Sequence, residues 1–131
     1  NENEDWGIQL AQTDLVNFGY SKEQIDLVCS IISATKANAK PVTILEKIMR
    51  DADHDYLGRA DYKLISSRLR VELLLFNNQE FSDLEWIQYQ LNYLKNKHEY
   101  MTDTAKNIRN NGKKARIDEL TLQLIALKEK Q

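Results

Sequence analysis

Three aspartates and a histidine lie close together in the segment Asp51-Ala52-Asp53-His54-Asp55-Tyr56-Leu57-Gly58. Carboxylates and imidazoles bind divalent metals and transfer protons, so this segment could carry chemistry. Apolar residues precede it at steps of three and four, in phase with Asp53: Leu45, Ile48, Met49 and Ala52. Residues at that spacing share one helical face, which normally packs inward. The pattern therefore predicts that Asp53 points into the interior, whereas Asp51 and Asp55 lie on another side, in water.

A carboxylate in the interior requires a compensating partner, because an unpaired buried charge costs several kcal/mol. Asp53 is therefore interpreted either as a structural anchor that accepts hydrogen bonds from a neighbouring loop, or as a metal ligand. The alternating acids also suggest a calcium loop of the EF-hand type, which needs Gly at its sixth position and Glu at its twelfth. Counted from Asp51, those positions hold Tyr56 and Tyr62, so the segment does not fit an EF-hand.

The length and composition of the chain are those of one domain. It has 131 residues, 42% of them hydrophobic, and a single proline with four glycines leaves little room for linkers. One domain over residues 1–131 is therefore predicted. No apolar run is long enough to span a membrane, and no signal-peptide pattern is present. The lone Cys29 cannot form an internal disulfide, and a cytoplasmic location is predicted.

Basic and acidic side chains nearly balance, with 18 of the first and 20 of the second. No strong overall field therefore attracts the protein to nucleic acid or to anionic lipid. A locally basic stretch between Lys106 and Arg116 lacks interleaved aromatic residues, so it is interpreted as a solvated helix face. Neither nucleic acid nor a membrane is expected as a partner.

Capping signals and apolar periodicity divide the chain into about six predicted helices. Capping boxes begin three of them: Ser21 with Gln24, Thr43 with Glu46, and Ser82 with Glu85. Gly19 is predicted to end the first helix, Asp61 to cap a largely buried fourth helix, and Thr102 or Thr104 to begin the sixth. No strand-like alternation competes with these signals, so an all-α helical bundle is predicted.

Two sequence blocks resemble the later part of the HD-domain family of metal-dependent phosphohydrolases. The first block contains Phe18-Gly19-Tyr20-Ser21-Lys22-Glu23-Gln24-Ile25 and Ile31-Ile32-Ser33-Ala34-Thr35, and the second is the acidic segment 51–58. The order and the spacing of the blocks both match the family. The similarity covers about residues 3–125 and is looser around Lys97-His98-Glu99-Tyr100-Met101-Thr102.

The resemblance implies an HD-type helical bundle in which a His, a His-Asp pair and a late Asp hold one or two divalent metals. The late Asp belongs to an Ala-Asp dipeptide that corresponds to Ala52-Asp53, so Asp53 is the implied metal ligand. Such a metal lowers the pKa of its bound water and neutralises phosphoryl oxygens during hydrolysis. The implied substrate is a phosphoester, a class that includes nucleotides and cyclic nucleotides.

The first His and the His-Asp pair, which precede the Gly-Tyr-Ser block in the family, have no counterpart at that place in this sequence. In one interpretation the chain is the later portion of a longer phosphohydrolase, whose preceding helices supply those ligands, and is inactive alone. In the other it is a helical binding or signalling module that keeps the HD scaffold without the chemistry. Missing helices would leave apolar surface exposed, so a homo-oligomer is expected in the first case.

Overall fold

The computed structural model describes residues 2–129, and every regular element in that range is helical. The prediction of an all-α fold is therefore confirmed. The six α-helices of the described residues are α1 Glu2–Asp14, α2 Lys22–Ser33, α3 Ile44–Asp53, α4 Tyr62–Asn77, α5 Asp83–Asn92 and α6 Asp103–Lys128. Short 3₁₀ helices at Leu15–Phe18 and Asp55–Gly58 follow α1 and α3, and a π-helical turn at Tyr93–Lys97 follows α5. None of the helices between residues 2 and 129 has both the length and the apolar composition needed to cross a membrane.

The predicted capping boxes set the starts of three helices. At α2 the Ser21 hydroxyl accepts a hydrogen bond from the Gln24 amide nitrogen at 3.3 Å, and the Gln24 side chain accepts one from the Ser21 amide at 2.8 Å. Thr43 with Glu46 at α3, and Ser82 with Glu85 at α5, form the same reciprocal pairs. Each box satisfies backbone donors that a helix start would otherwise leave without a partner. All three boxes are confirmed.

Gly19 and Thr102 also act as predicted. Gly19 has a φ of 78°, the left-handed conformation that ends a helix and that glycine adopts at little cost. It follows the 3₁₀ helix that continues α1. The Thr102 hydroxyl accepts a hydrogen bond from the Ala105 amide at 3.2 Å and caps α6.

The described residues form two compact units that divide between Asp53 and His54. The N-terminal unit, residues 2–53, contains α1, α2 and α3, and its most buried apolar side chains are Ala11, Ile25 and Ala34. An ion pair of 2.5 Å between Lys36 and Asp5 connects the loop after α2 to α1. The prediction of one domain over residues 1–131 stays a prediction.

The C-terminal unit, residues 54–129, has the larger apolar core. Leu94 and Tyr100 are almost completely buried in it, at 1% and 0% exposure. The other buried members of this core come from the 3₁₀ helix and from α4, α5 and α6: Leu57, Tyr62, Ile87, Leu91 and Leu120. Ile87, Leu91 and Leu94 recur at steps of three and four, the spacing of one inward helical face.

The prediction that α4 is largely buried is wrong. Only Tyr62 and Ser66 are buried on this helix, whereas Leu75 and Phe76 are 70% and 82% exposed. Apolar side chains occur on several sides of α4, so periodicity did not identify the side that packs. Asp61 occupies the predicted N-cap position, but its carboxylate accepts hydrogen bonds from Arg59 at 2.9 and 2.5 Å and makes no capping bond.

Candidate functional site

Asp53, the predicted metal ligand, is the last residue of α3 and is exposed. The prediction that it points into the interior is therefore wrong. The buried carboxylate of this helix is that of Asp51, at 6% exposure, which had been predicted to lie in water. Asp51 is buried and Asp53 is exposed, which is the reverse of what the apolar pattern predicted.

The reason is that α3 packs through its charged side. Arg50 donates hydrogen bonds to the carbonyl oxygens of Thr35, Lys36 and Ala37 at 2.7, 2.9 and 3.3 Å. These carbonyls belong to the loop that follows α2, where backbone acceptors need partners. Asp51 follows Arg50 directly and faces the same packed side, so it is buried with it.

Glu46 connects the beginning of α3 to α2. Its carboxylate accepts hydrogen bonds from the Val42 amide at 2.7 Å, the Thr43 amide at 3.1 Å and the Ser30 hydroxyl at 3.0 Å. The bonds from the two amides and the hydroxyl favour the ionised form, and they lower the pKa of Glu46 below its ordinary value. Hydrogen bonds that Arg50 donates and Glu46 accepts therefore hold α3 against α2 and the loop after it.

The apolar side of α3 is exposed as a result. Leu45, Ile48 and Met49 are 43%, 50% and 42% exposed, and Asp53 lies at the edge of this face, one helical turn after Met49. The sequence correctly grouped these residues on one face of a helix. Its assumption that an apolar face must be the packed one did not hold for this helix.

The described residues do not by themselves fit a metal centre. Across residues 2–129, no group of three or more His, Cys, Asp or Glu side chains is arranged to hold a metal ion. A catalytic divalent metal needs several such donors, and one carboxylate provides a single weak ligand. Further donors would have to accompany Asp53.

The next two residues, His54 and Asp55, form a His-Asp dipeptide in the C-terminal unit, and the sequence reasoning gave it no metal-binding role. The His54 Nε2 lies 2.8 Å from the Tyr93 hydroxyl. Asp55 accepts hydrogen bonds from Arg109 Nε at 2.5 Å and Arg109 Nη2 at 3.1 Å. The hydrogen bond to the Asp55 carboxylate also raises the pKa of the Arg109 guanidinium. Both side chains of the dipeptide thus hold the C-terminal unit together.

His98 lies beside His54 in the same unit. The centres of the two imidazole rings are 5.1 Å apart, and His98 meets the Tyr100 ring edge to face at 4.6 Å. The Tyr100 hydroxyl donates to the His54 carbonyl oxygen at 3.2 Å, and Lys113 Nζ donates to the His98 carbonyl at 2.5 Å. Burial lowers the pKa of Lys113. The structure thus brings together two histidines that are 44 positions apart in sequence (98 minus 54).

A small cavity of about 220 Å³ adjoins this cluster, and His54, Tyr56, Tyr89 and Tyr93 are among its lining residues. The π-helical turn after α5 begins at Tyr93, and such turns occur often at functional sites. Sequence reasoning identified the two histidines but missed their tyrosine partners. Tyr93 and Tyr100, which flank the polar stretch Lys95-Asn96-Lys97-His98-Glu99, are the signal that could have found them.

The basic stretch of α6 is not simply a solvated face, as the sequence suggested. Arg109 binds Asp55, Lys113 binds the His98 carbonyl, and Arg116 pairs with Glu119 at 2.8 Å. Each of these three side chains therefore makes a contact within its own unit.

Comparisons of the chain with protein-family models, with curated proteins and with solved structures gave no match.

Proposed function

We propose that this chain is part of an HD-type metal-dependent phosphohydrolase that acts on a phosphoester such as a nucleotide. In this proposal Asp53 is one ligand of a divalent metal, and the remaining ligands come from polypeptide outside the 131 residues. The chain alone is inactive. The proposal is supported by the two sequence blocks, whose order and spacing resemble the family up to Ala52-Asp53.

The observation that carries the proposal is the position of Asp53 on α3. The carboxylate ends a helical face on which Leu45, Ile48 and Met49 are each about half exposed. Exposed apolar side chains at helical spacing favour the packing of another helix, since covering them removes apolar surface from water. A helix packed there would lie next to Asp53 and could carry imidazole or carboxylate donors to the same metal.

A non-catalytic helical binding module is the second candidate, and the same exposed face supports it. The two candidates differ in what the covering segment brings with it. A phosphohydrolase requires metal ligands beside Asp53, whereas a binding module requires only apolar complementarity. Metal binding therefore separates them.

The test is Mn²⁺ titration by isothermal calorimetry of the complete natural polypeptide that contains this sequence, beside its Asp53→Asn variant. Loss of outer-shell partners weakens metal sites by roughly 10–100-fold, so loss of a direct ligand should weaken Mn²⁺ binding by at least that factor. Asp26→Asn is the control, because Asp26 is an exposed carboxylate on α2 that pairs with Lys22 at 2.7 Å. Its Mn²⁺ affinity should be unchanged.

Hydrolysis of p-nitrophenyl phosphate and of nucleoside monophosphates, with and without Mn²⁺, gives the second readout. Metal-dependent release of phosphate that Asp53→Asn abolishes and Asp26→Asn retains is the expected result. A complete polypeptide that binds no Mn²⁺, or binds it equally well in Asp53→Asn, would contradict the enzymatic proposal and favour the binding module.

A further inference from the structure

The C-terminal unit contains a cavity of about 480 Å³ between α4, α5 and α6, called the α4–α6 cavity below. Its volume is within the range of small-molecule sites in proteins. Each helix contributes side chains from one face, among them Tyr62, Ser66, Trp86, Gln90, Arg116 and Leu120. Aromatic and aliphatic walls with a few polar groups are typical of sites for organic ligands.

Gln90 forms a fixed, neutral part of the cavity wall. It is 8% exposed, and its side-chain oxygen accepts hydrogen bonds from the Tyr62 hydroxyl at 2.9 Å and the Ser66 hydroxyl at 2.5 Å. Its amide nitrogen donates to the Trp86 carbonyl at 3.2 Å. Burial raises the pKa of Tyr62, so the phenol stays protonated and keeps donating to Gln90. This network is satisfied internally and does not require a ligand.

Arg116 is different, because two of its three nitrogens make no hydrogen bond within residues 2–129. Its Nη1 donates to Glu119 at 2.8 Å, while its Nε is buried and has no hydrogen-bond partner within residues 2–129. Buried donors nearly always have a partner, so such an atom needs an explanation. Its Nη2 makes no hydrogen bond within residues 2–129 and is not buried, so the guanidinium has a donor that an acceptor oxygen of a ligand in the cavity can reach.

The charges around the cavity favour an anion. Three cations and two acids line it, namely Lys63, Arg70, Arg116, Asp83 and Glu119. Each acid is paired with one arginine at 2.8 Å, Asp83 with Arg70 and Glu119 with Arg116. Lys63 is exposed at the rim and makes no ion pair with the described part of the chain. One positive charge is therefore left over.

We propose that the α4–α6 cavity binds a small organic anion, a carboxylate or a phosphate monoester with an apolar body. The Arg116 guanidinium donates to an anionic oxygen through Nη2, Lys63 adds the excess positive charge, and Trp86 and Leu120 pack against the apolar body. This inference uses residues of the C-terminal unit alone and does not rest on the proposed metal ligand Asp53.

The test titrates the 131-residue chain with heptanoate, with hexyl phosphate and with the neutral 1-hexanol, and follows the indole resonances by NMR. Trp86 lines the cavity, whereas Trp6 is 62% exposed on α1 and serves as an internal reference. Each anion that binds should shift the Trp86 resonance saturably with a Kd of about 1 mM or tighter. Hexanol should bind roughly tenfold more weakly, since it cannot accept a charge-assisted bond as an anion does. The tighter of the two anions identifies the headgroup.

Arg116→Gln should weaken the binding of the anion roughly tenfold and leave that of hexanol unchanged. Arg68→Gln is the matched control, because Arg68 is an exposed arginine of α4 that does not line the cavity. No saturable shift with either anion, equal affinity for hexanol, or undiminished anion binding by Arg116→Gln would overturn the proposal.

A second variant keeps the test decisive if Arg116→Gln does not fold, as judged by circular dichroism. Ala126 lines the cavity and is exposed, so Ala126→Trp should fill part of the space without disturbing the buried core. The folded Ala126→Trp protein should lose binding of the anion and of hexanol together. Undiminished binding by this variant would show that the ligand sits elsewhere, and would also overturn the proposal.

Discussion

Gly112 of α6 lies directly against the backbone of Gly58, and a Cβ atom at Gly112 would overlap the Gly58 carbonyl oxygen. A Cβ atom at Gly58 would in turn lie 2.5 Å from the carbonyl oxygen of Arg109 and 2.8 Å from its Cβ. Neither position accepts a side chain unless backbone moves. The two glycines therefore let α6 approach the 3₁₀ helix closely enough for Arg109 to bind Asp55 with two hydrogen bonds.

Gly112→Ala should destabilise the C-terminal unit although it places a better helix former in α6. The helix propensity of Ala favours the variant by about 1 kcal/mol. Overpacking against backbone costs typically about 1–3 kcal/mol, and backbone is the least able to relax, so the net effect should be a loss. Urea unfolding of the parent chain and of the variant measures the difference in the free energy of unfolding.

Gly7→Ala is the control for that measurement. A Cβ atom at Gly7 in α1 would meet Ile32 Cγ2 at 3.6 Å, an ordinary van der Waals contact. The higher helix propensity of Ala should then raise the free energy of unfolding by roughly 0.5–1 kcal/mol, because no clash opposes it. Equal stabilisation by both substitutions would show that the close approach at Gly112 is relieved easily.

The helix ends were predictable because their signals are local. The box of Ser82 with Glu85 uses two residues three positions apart, and the cap at Gly19 needs only one residue with a positive φ. Such contacts depend little on the rest of the fold, so the sequence contains the information that they require.

The packed side of a helix was not predictable in the same way. Apolar spacing placed Leu45 and Ile48 on one face of α3, but Arg50, about 200° around the helix from Ile48, anchors the other side through three backbone carbonyls. Those carbonyls lie 13 to 15 positions away in sequence, and no local pattern reports them. The pairing of His54 with Tyr93 spans 39 positions and was missed for the same reason.

Glu85→Gln should remove part of the acid sensitivity of the C-terminal unit. The hydrogen bonds of Ser82 to the Glu85 carboxylate lower the pKa of Glu85 from its ordinary value of 4.5. A carboxyl with a lowered pKa in the folded state stabilises the fold above the unfolded-state pKa, and the contribution is lost as the pH falls through the folded-state value. Stability should therefore decline below about pH 4.5, and urea unfolding at a series of pH values should show a shallower decline for Glu85→Gln.

Gln can take the place of Glu in a capping box, as Gln24 does at α2, so Glu85→Gln should change the stability near neutral pH very little. Glu80→Gln is the matched control, since Glu80 is exposed and makes no hydrogen bond or ion pair within residues 2–129. It should follow the pH profile of the parent chain. If Glu85→Gln also follows the pH profile of the parent chain, the capping box of Ser82 with Glu85 does not favour the ionised carboxylate.

Tyr93→Phe should destabilise the packing around His54 and His98. The substitution removes the hydroxyl that lies 2.8 Å from His54 Nε2 and leaves the ring in place. Loss of one such hydrogen bond should cost about 0.5–1.5 kcal/mol of the free energy of unfolding. The ring nitrogen shifts of His54, measured by ¹⁵N NMR, should change as well, because they report the hydrogen bond directly.

Tyr89→Phe tests whether that effect belongs to the hydroxyl at position 93. Tyr89 lies one helical turn earlier, and its ring stacks on Trp86 at 5.3 Å. Its hydroxyl makes no hydrogen bond with the described residues, and the side chain is 42% exposed. The His54 nitrogen shifts should stay as in the parent chain. A similar change in both variants would indicate a general disturbance of α5.

Ile48→Gln should reduce self-association of the 131-residue chain. Ile48 is 50% exposed in the middle of the apolar face of α3, and sedimentation velocity at increasing concentrations should show association of the parent chain through such surface. The substitution removes apolar area from a surface position, so the free energy of unfolding should change by less than about 0.5 kcal/mol. Leu122→Gln removes a similar side chain from a more exposed position of α6, at 68% exposure, and should leave the association unchanged. The proposed function requires a helix on the α3 face. A monomeric parent chain would remove the reason to place a covering helix there, and so would equal effects of the two substitutions.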